Sequence, residues 1–103
     1  MQYVYKVCST KEWADATEVG FFLGSEVDVN DGFIHLSTIT QIEVTVSKHF
    51  AGQKNLVIIQ FDIKKLENKL KWEPSRDGEL FPHYYGNIKT NLEDKRFNLD
   101  LGI

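Results

Sequence analysis

Three short stretches of this 103-residue chain concentrate side chains able to do chemistry. The first is Asp31-Gly32-Phe33-Ile34-His35-Leu36-Ser37-Thr38. Read as a strand, it puts Phe33, His35 and Ser37 on one face and Ile34 and Leu36 on the other. The aliphatic face belongs to a core, so His35 and Ser37 look elsewhere. An imidazole with a hydroxyl two residues on can hydrogen-bond a sugar or a phosphate. A buried histidine satisfied by a backbone carbonyl fits the segment equally well.

The second stretch is Lys71-Trp72-Glu73-Pro74-Ser75-Arg76-Asp77-Gly78. Trp72 offers a stacking surface, Glu73 a carboxylate, and Arg76 a forked donor suited to phosphate or carboxylate. Pro74 and Asp77-Gly78 make it a turn-rich loop, where binding residues concentrate. The bland alternative is a Glu73–Arg76 pair across the turn, contributing only ~0–1 kcal/mol if exposed. The third stretch, Glu79-Leu80-Phe81-Pro82-His83-Tyr84-Tyr85-Gly86, sets an imidazole and two phenols beside a glycine that permits close backbone approach. Taken alone, it also reads as an aromatic strand entry packed into a core.

Other chemistries find less support. Three histidines and one cysteine show neither Cys-x-x-Cys nor His-Glu-x-x-His spacing, so a zinc site is not expected. No glycine-rich phosphate loop precedes a helix, which argues against a nucleotide-triphosphate hydrolase. His49 sits near a helix C-terminus and reads as structural, and Cys8 as a small core residue.

Composition bounds the remaining choices. Net charge is −3, which gives no support to general nucleic-acid binding. The charge is uneven: residues 1–50 hold three basic and seven acidic side chains. Between Lys64 and Arg76, five basic groups face two acidic ones, a solvated turn or an anion-attracting surface. One cysteine allows no internal disulfide and points to the cytoplasm, and no apolar run approaches the roughly 18 residues of a membrane span. Thirteen aromatics are a heavy load for so small a chain. Phe50 and Phe61 read as core, whereas Trp72, Phe81, Tyr84 and Tyr85 cluster where a ligand wall would stand.

The elements that must position these groups follow from pattern. Tyr3–Cys8 reads as a strand. Ser9 and Glu12 form a capping box that opens a helix through Trp13, closed by Gly20. Leu23–Gly32 reads as a loop that launches the strand Phe33–Ser37. Thr38 and Gln41 open a second helix through Ala51, with a stripe of Ile39, Ile42, Val46 and Phe50. Asn55–Ile63 reads as a central strand, Leu70–Glu73 as another, and Tyr84–Ile88 and Arg96–Leu101 as closing strands. No repeat or linker divides residues 1–103. The expectation is a single α+β domain with a mixed or mostly antiparallel sheet and two helices in its N-terminal half.

Taken together, Tyr5-Lys6, Trp13, Gly24-Ser25, Asp31–Thr38 with Gln41, Phe50, Lys71-Trp72-Glu73 and Phe81-Pro82-His83-x-Tyr85-Gly86 resemble the bacterial family catalogued as domain of unknown function 952. The resemblance covers almost the whole chain and implies an ADP-ribosyltransferase-like fold. In such sites a histidine on an early strand binds the ribose of NAD with a nearby hydroxyl assisting. A later aromatic or histidine braces the nicotinamide side, and often a glutamate steers the nucleophile. The resemblance thus implies His35 with Ser37 in the first role, His83 or Tyr85 in the second and Glu73 in the third. It names no cofactor and allows NAD as a substrate. Within the same fold, a phosphorylated nucleotide or RNA end is an alternative ligand, with Arg76 as anion anchor. A second class of function stays open beside the enzyme: a non-catalytic module binding a small ligand or a protein segment. Neither a membrane partner nor an oligomeric state is indicated.

Overall fold

A computed structural model describes residues 2–66 and 68–99, and at position 76 the backbone alone. Tyr3–Ser9 forms β1, and Ser9 then caps α1, Thr10–Val19. The box is complete: the Glu12 N–H donates to Ser9 Oγ at 3.0 Å, and the Ser9 N–H donates to Glu12 Oε1 at 2.8 Å. Gly20, at φ +97°, ends the helix in the left-handed conformation. A two-residue strand β2, Phe21–Phe22, leads into α2, Glu26–Asp31, and β3, Ile34–His35. Next come α3, Ile42–His49; β4, Leu56–Asp62; and the single turn α4, Ile63–Leu66. The chain closes with β5, Leu70–Pro74; β6, Leu80–Tyr84; β7, Ile88–Lys89; and β8, Glu93–Leu99. Short 3-10 turns precede β6 and β8.

The fold is α+β, and every strand pairing among the described residues is antiparallel. Three sheets form, in the orders β1-β4-β8, β2-β7 and β3-β6-β5. Backbone bonds between Tyr5 and Ser37, both 2.8 Å, join the first sheet to the segment after β3. Val4, Cys8, Val57, Ile59 and Phe61 face a core completed by Trp13, Phe22, Ile34, Leu36 and Tyr84. Burial pushes the Cys8 thiol up to about 12, so it is an inert core group. Trp13 anchors this core, with its ring 5.5 Å from Phe22 and 6.0 Å from Phe61 and its N–H donated to Glu93 at 3.1 Å.

Several expectations change. The segment read as a loop over Leu23–Gly32 contains α2, so three helices rather than two precede β4. Of the mixed and mostly antiparallel alternatives, the described residues take the antiparallel one. The strand expected over Phe33–Ser37 contracts to Ile34–His35. The second helix begins at Ile42, not at Thr38, because the Gln41 side chain folds back to accept the Thr38 N–H at 3.0 Å and residues 38–41 make a turn instead. Ile39, placed in that helix's apolar stripe, is 65 % exposed. The strand expected over Tyr84–Ile88 is two strands, β6 ending at Tyr84 and β7 starting at Ile88. The last residues of the strand expected over Arg96–Leu101 lie outside the described residues.

Candidate functional site

The site starts from α2, a helix six residues long whose importance lies in one side chain. Asp28 is 2 % exposed, yet it carries a carboxylate. Its Oδ2 accepts the Ser25 N–H at 2.9 Å, the Ser25 hydroxyl at 3.0 Å and the Lys6 ammonium at 2.8 Å. Its Oδ1 accepts the His35 N–H at 3.0 Å and lies 2.7 Å from His35 Nδ1. A buried carboxylate costs several kcal/mol unless its lone pairs are met, and these are. Burial acts to raise the Asp28 pKa, but hydrogen bonding from His35 and the ammonium of Lys6 outweigh it and hold the carboxyl well below its usual range. Lys6 is equally buried and also donates to the His35 carbonyl at 3.2 Å.

Gly24 makes this packing feasible. It sits at φ +112°, and a Cβ there would meet the Asp28 Cβ at 2.7 Å. At the other end of α2, Gly32 turns at φ +88° and leads through Phe33 into β3, which carries His35.

The register of the third sheet then does the rest. His35 on β3 lies directly opposite His83 on β6, and Lys71 on β5 lies opposite His83 on its other side. The two imidazoles stand 5.6 Å apart and nearly edge to face. Each has its Nδ1 on a different carboxylate: His35 on Asp28, and His83 on Glu73 Oε1 at 2.8 Å. The Tyr85 hydroxyl donates to the same Glu73 oxygen at 2.6 Å. That bond, followed by the one from His83, lowers the Glu73 pKa; in return it raises that of the Tyr85 phenol. His35 Nε2 lies 2.9 Å from Asp31, so both its nitrogens face carboxylates, and only a ring protonated at both can donate to both.

Phe33 joins the two halves. Its ring stacks on His83 at 4.1 Å and lies 4.6 Å from His35 and 5.4 Å from Tyr85. Beside it is a cavity of about 220 Å³ that shares Phe33 and Asp28 with the site. A larger groove of about 450 Å³, between α3 and the first sheet, shares no residue with it.

His35, His83, Glu73 and Tyr85 therefore come together, as four of the groups singled out by sequence. Ser37 does not join them: it is buried, with its hydroxyl 3.2 Å from that of Thr45 on α3. Trp72 also stands apart. It pairs with Pro82, and strand alternation puts it on the face opposite Lys71, Glu73 and His83. The side chain of Arg76 lies outside the described residues. Of the aromatics expected in a ligand wall, Tyr84 belongs to the core and Phe81 is 5 % exposed. Sequence reasoning misses Lys6, Asp28 and Asp31, and gives Phe33 no role. The available signal was Ser25 three residues before Asp28, a capping pattern inside a presumed loop. Among the described residues, no group of three His, Cys, Asp or Glu side chains is placed to hold a metal ion.

Comparison with known proteins bears on the whole chain. A family model described as "Protein of unknown function (DUF952)" matches residues 7–92. The chain belongs to the DUF952 family. Its fold is shared with protein CC0527 from Caulobacter crescentus: the crystal structure is 43 % identical with a TM-score of 0.92, covering 95 % of this chain and 86 % of that one. The solution structure of CC0527 gives a TM-score of 0.85 at the same identity, covering 95 % and 84 %. No curated protein matches. Membership in DUF952 thus fixes the fold and carries no activity with it. No helix among the described residues is long and apolar enough to cross a membrane.

Proposed function

We propose that this DUF952 domain binds a ribosylated small molecule of the NAD or ADP-ribose type at the His35–His83 pair, beside the Phe33 cavity, in the cytoplasm of a bacterial cell. The observation that carries this reading is the pair of facing imidazoles, 5.6 Å apart, each with its Nδ1 fixed by a separate carboxylate. Carboxylates that hold the rings this way set their orientation in advance, which is how sites lower the entropic cost of ligand capture. His35, one-third exposed, would bond the ribose hydroxyls through Nε2, the ligand displacing the half-exposed Asp31 from it. Phe33, backed by the buried His83 stacked beneath it, and Tyr85 would form an aromatic wall for the flat end of the ligand. Transfer of the ADP-ribosyl group, on an ADP-ribosyltransferase-like fold, needs a carboxylate near the anomeric carbon to stabilise oxocarbenium charge, and Glu73 fills that role.

One observation favours a second reading, a non-catalytic binding module. Two donors already share Glu73 Oε1 and lower its basicity, which suits it to hold His83 and Tyr85 in place. Calorimetric titration with NAD and ADP-ribose, joined to an assay for nicotinamide release, separates the possibilities. Binding lost in His35→Ala supports the site, and nicotinamide release abolished in Glu73→Gln with binding retained supports the enzyme. If neither ligand binds, or if His35→Ala binds as well as the wild type, the site is misassigned.

A further inference from the structure

Two features beside the histidines have no part in the arrangement above. The first is the cavity next to Phe33, walled by Leu23, Val29 and Phe33 and closed by Asp28, Gly32 and Gly86. Leu23 and Val29 are 59 % and 64 % exposed, so two branched apolar side chains line one hollow that is open to water. At about 220 Å³ it holds the equivalent of about seven waters of ~30 Å³ each, room for one heteroaromatic ring system and not for a dinucleotide.

The second feature is a pair of ammonium groups on the β5 side. Lys69 lies across Gly86, one of the residues that line the cavity: a Cβ at Gly86 would sit 3.1 Å from Lys69 Cδ and 3.3 Å from its Nζ. The Tyr85 N–H donates to the Lys69 carbonyl at 2.8 Å, which fixes this approach. Lys71 holds its Nζ 5.1 Å from the centre of the Tyr85 ring. Both lysines are exposed, and neither has an ion-pair partner among the described residues. At the α2 end the Asp28 carboxylate is already paired with Lys6, whereas at the β5 end the two ammoniums stand beside the Glu73 carboxylate without an ion-pair partner of their own among the described residues.

We propose that this cleft is bipartite: the Phe33 cavity takes the base of a phosphorylated nucleoside, and Lys69 with Lys71 takes its phosphates. The proposal rests on the ligand reading above and adds to it an orientation, a pair of anchors and a preference for phosphorylated over neutral nucleosides. An ammonium paired with a phosphate makes a charge-assisted bond that is worth more than a neutral one and weakens with salt.

The test is calorimetry with adenosine, ADP and ADP-ribose on the wild type, on Lys69→Gln/Lys71→Gln, and on Leu23→Ser/Val29→Ser. The altered side chains are exposed, and circular dichroism checks that each variant is folded. ADP should bind about tenfold or more tighter than adenosine at low salt. The lysine variant should lose most of that advantage while its affinity for adenosine stays unchanged, and the Leu23/Val29 variant should weaken all three ligands alike. If ADP binds no tighter than adenosine, or if the lysine variant keeps the full phosphate advantage, the anchors are wrong although the ligand reading survives. If the Leu23/Val29 variant binds all three normally, the cavity is not the base site. If none of the three binds the wild type, the ligand reading itself fails, and this proposal fails with it.

Discussion

At the scale of single residues, Asp28 decides how this site is built. One carboxylate ties Ser25, Lys6 and His35 together, and it does so almost without contact with water. Replacing it with Asn would leave the Lys6 ammonium buried without its counter-charge. Removing one partner of a buried pair typically costs about 3–5 kcal/mol, so Asp28→Asn should lower stability by about that much in urea denaturation. Lys6→Met/Asp28→Asn should recover part of the loss, because no uncompensated charge remains. The pH dependence has a definite sign. The Asp28 pKa is lowered on folding, so its contribution is fully present above the ordinary carboxylate range and is lost as pH falls below it. Acid titration of the wild type should show this loss, and Asp28→Asn should have a flatter acid limb. Only part of this was legible in the sequence. Alternation around His35 correctly set it apart from Ile34 and Leu36, but of its partners only Asp31 lies within the same stretch, and Lys6 and Asp28 come from positions that no strand or turn spacing connects to it.

At the scale of elements, α2 is the piece that pattern could not reveal. Val27 and Val29 are exposed, so the helix has no apolar stripe to announce it. Its reason for existing is polar: it carries Asp28 to the back of β3. Gly24 has to lie close to that side chain. Gly24→Ala combines an unfavourable positive φ with a 2.7 Å contact to the Asp28 Cβ, and should cost about 1–3 kcal/mol by thermal denaturation. It should also weaken ligand binding, since Asp28 orients His35, whereas Gly52→Ala, with open space around it, should leave binding untouched. Strand β6 was hidden for another reason. Pro82 has no N–H to give a ladder and reads as a break or an edge, yet its carbonyl accepts the Leu36 N–H at 3.0 Å within a paired strand. By contrast, β1, α1 and β4 were legible because their capping residues, terminating glycine and apolar runs agree with one another.

At the scale of the whole molecule, the heavy aromatic load divides in a way composition cannot show. Trp13, Phe22, Phe61 and Tyr84 fill the core, while Phe33 and Tyr85 flank the imidazoles. The division follows from sheet register. Setting His35 opposite His83 brings together segments 48 residues apart in sequence, and no reading of one stretch at a time can supply that pairing. Trp72 goes to the far face by the alternation of the strand expected over Leu70–Glu73, which already separates it from Glu73. The central claim is that the two imidazoles form one ligand site, and NMR of the histidine ring nitrogens during titration with ADP-ribose tests it most directly. The His35 and His83 resonances should shift together along one saturation curve, with His49, on α3, unmoved. Shifts at only one of the two rings, or none at either, would contradict it.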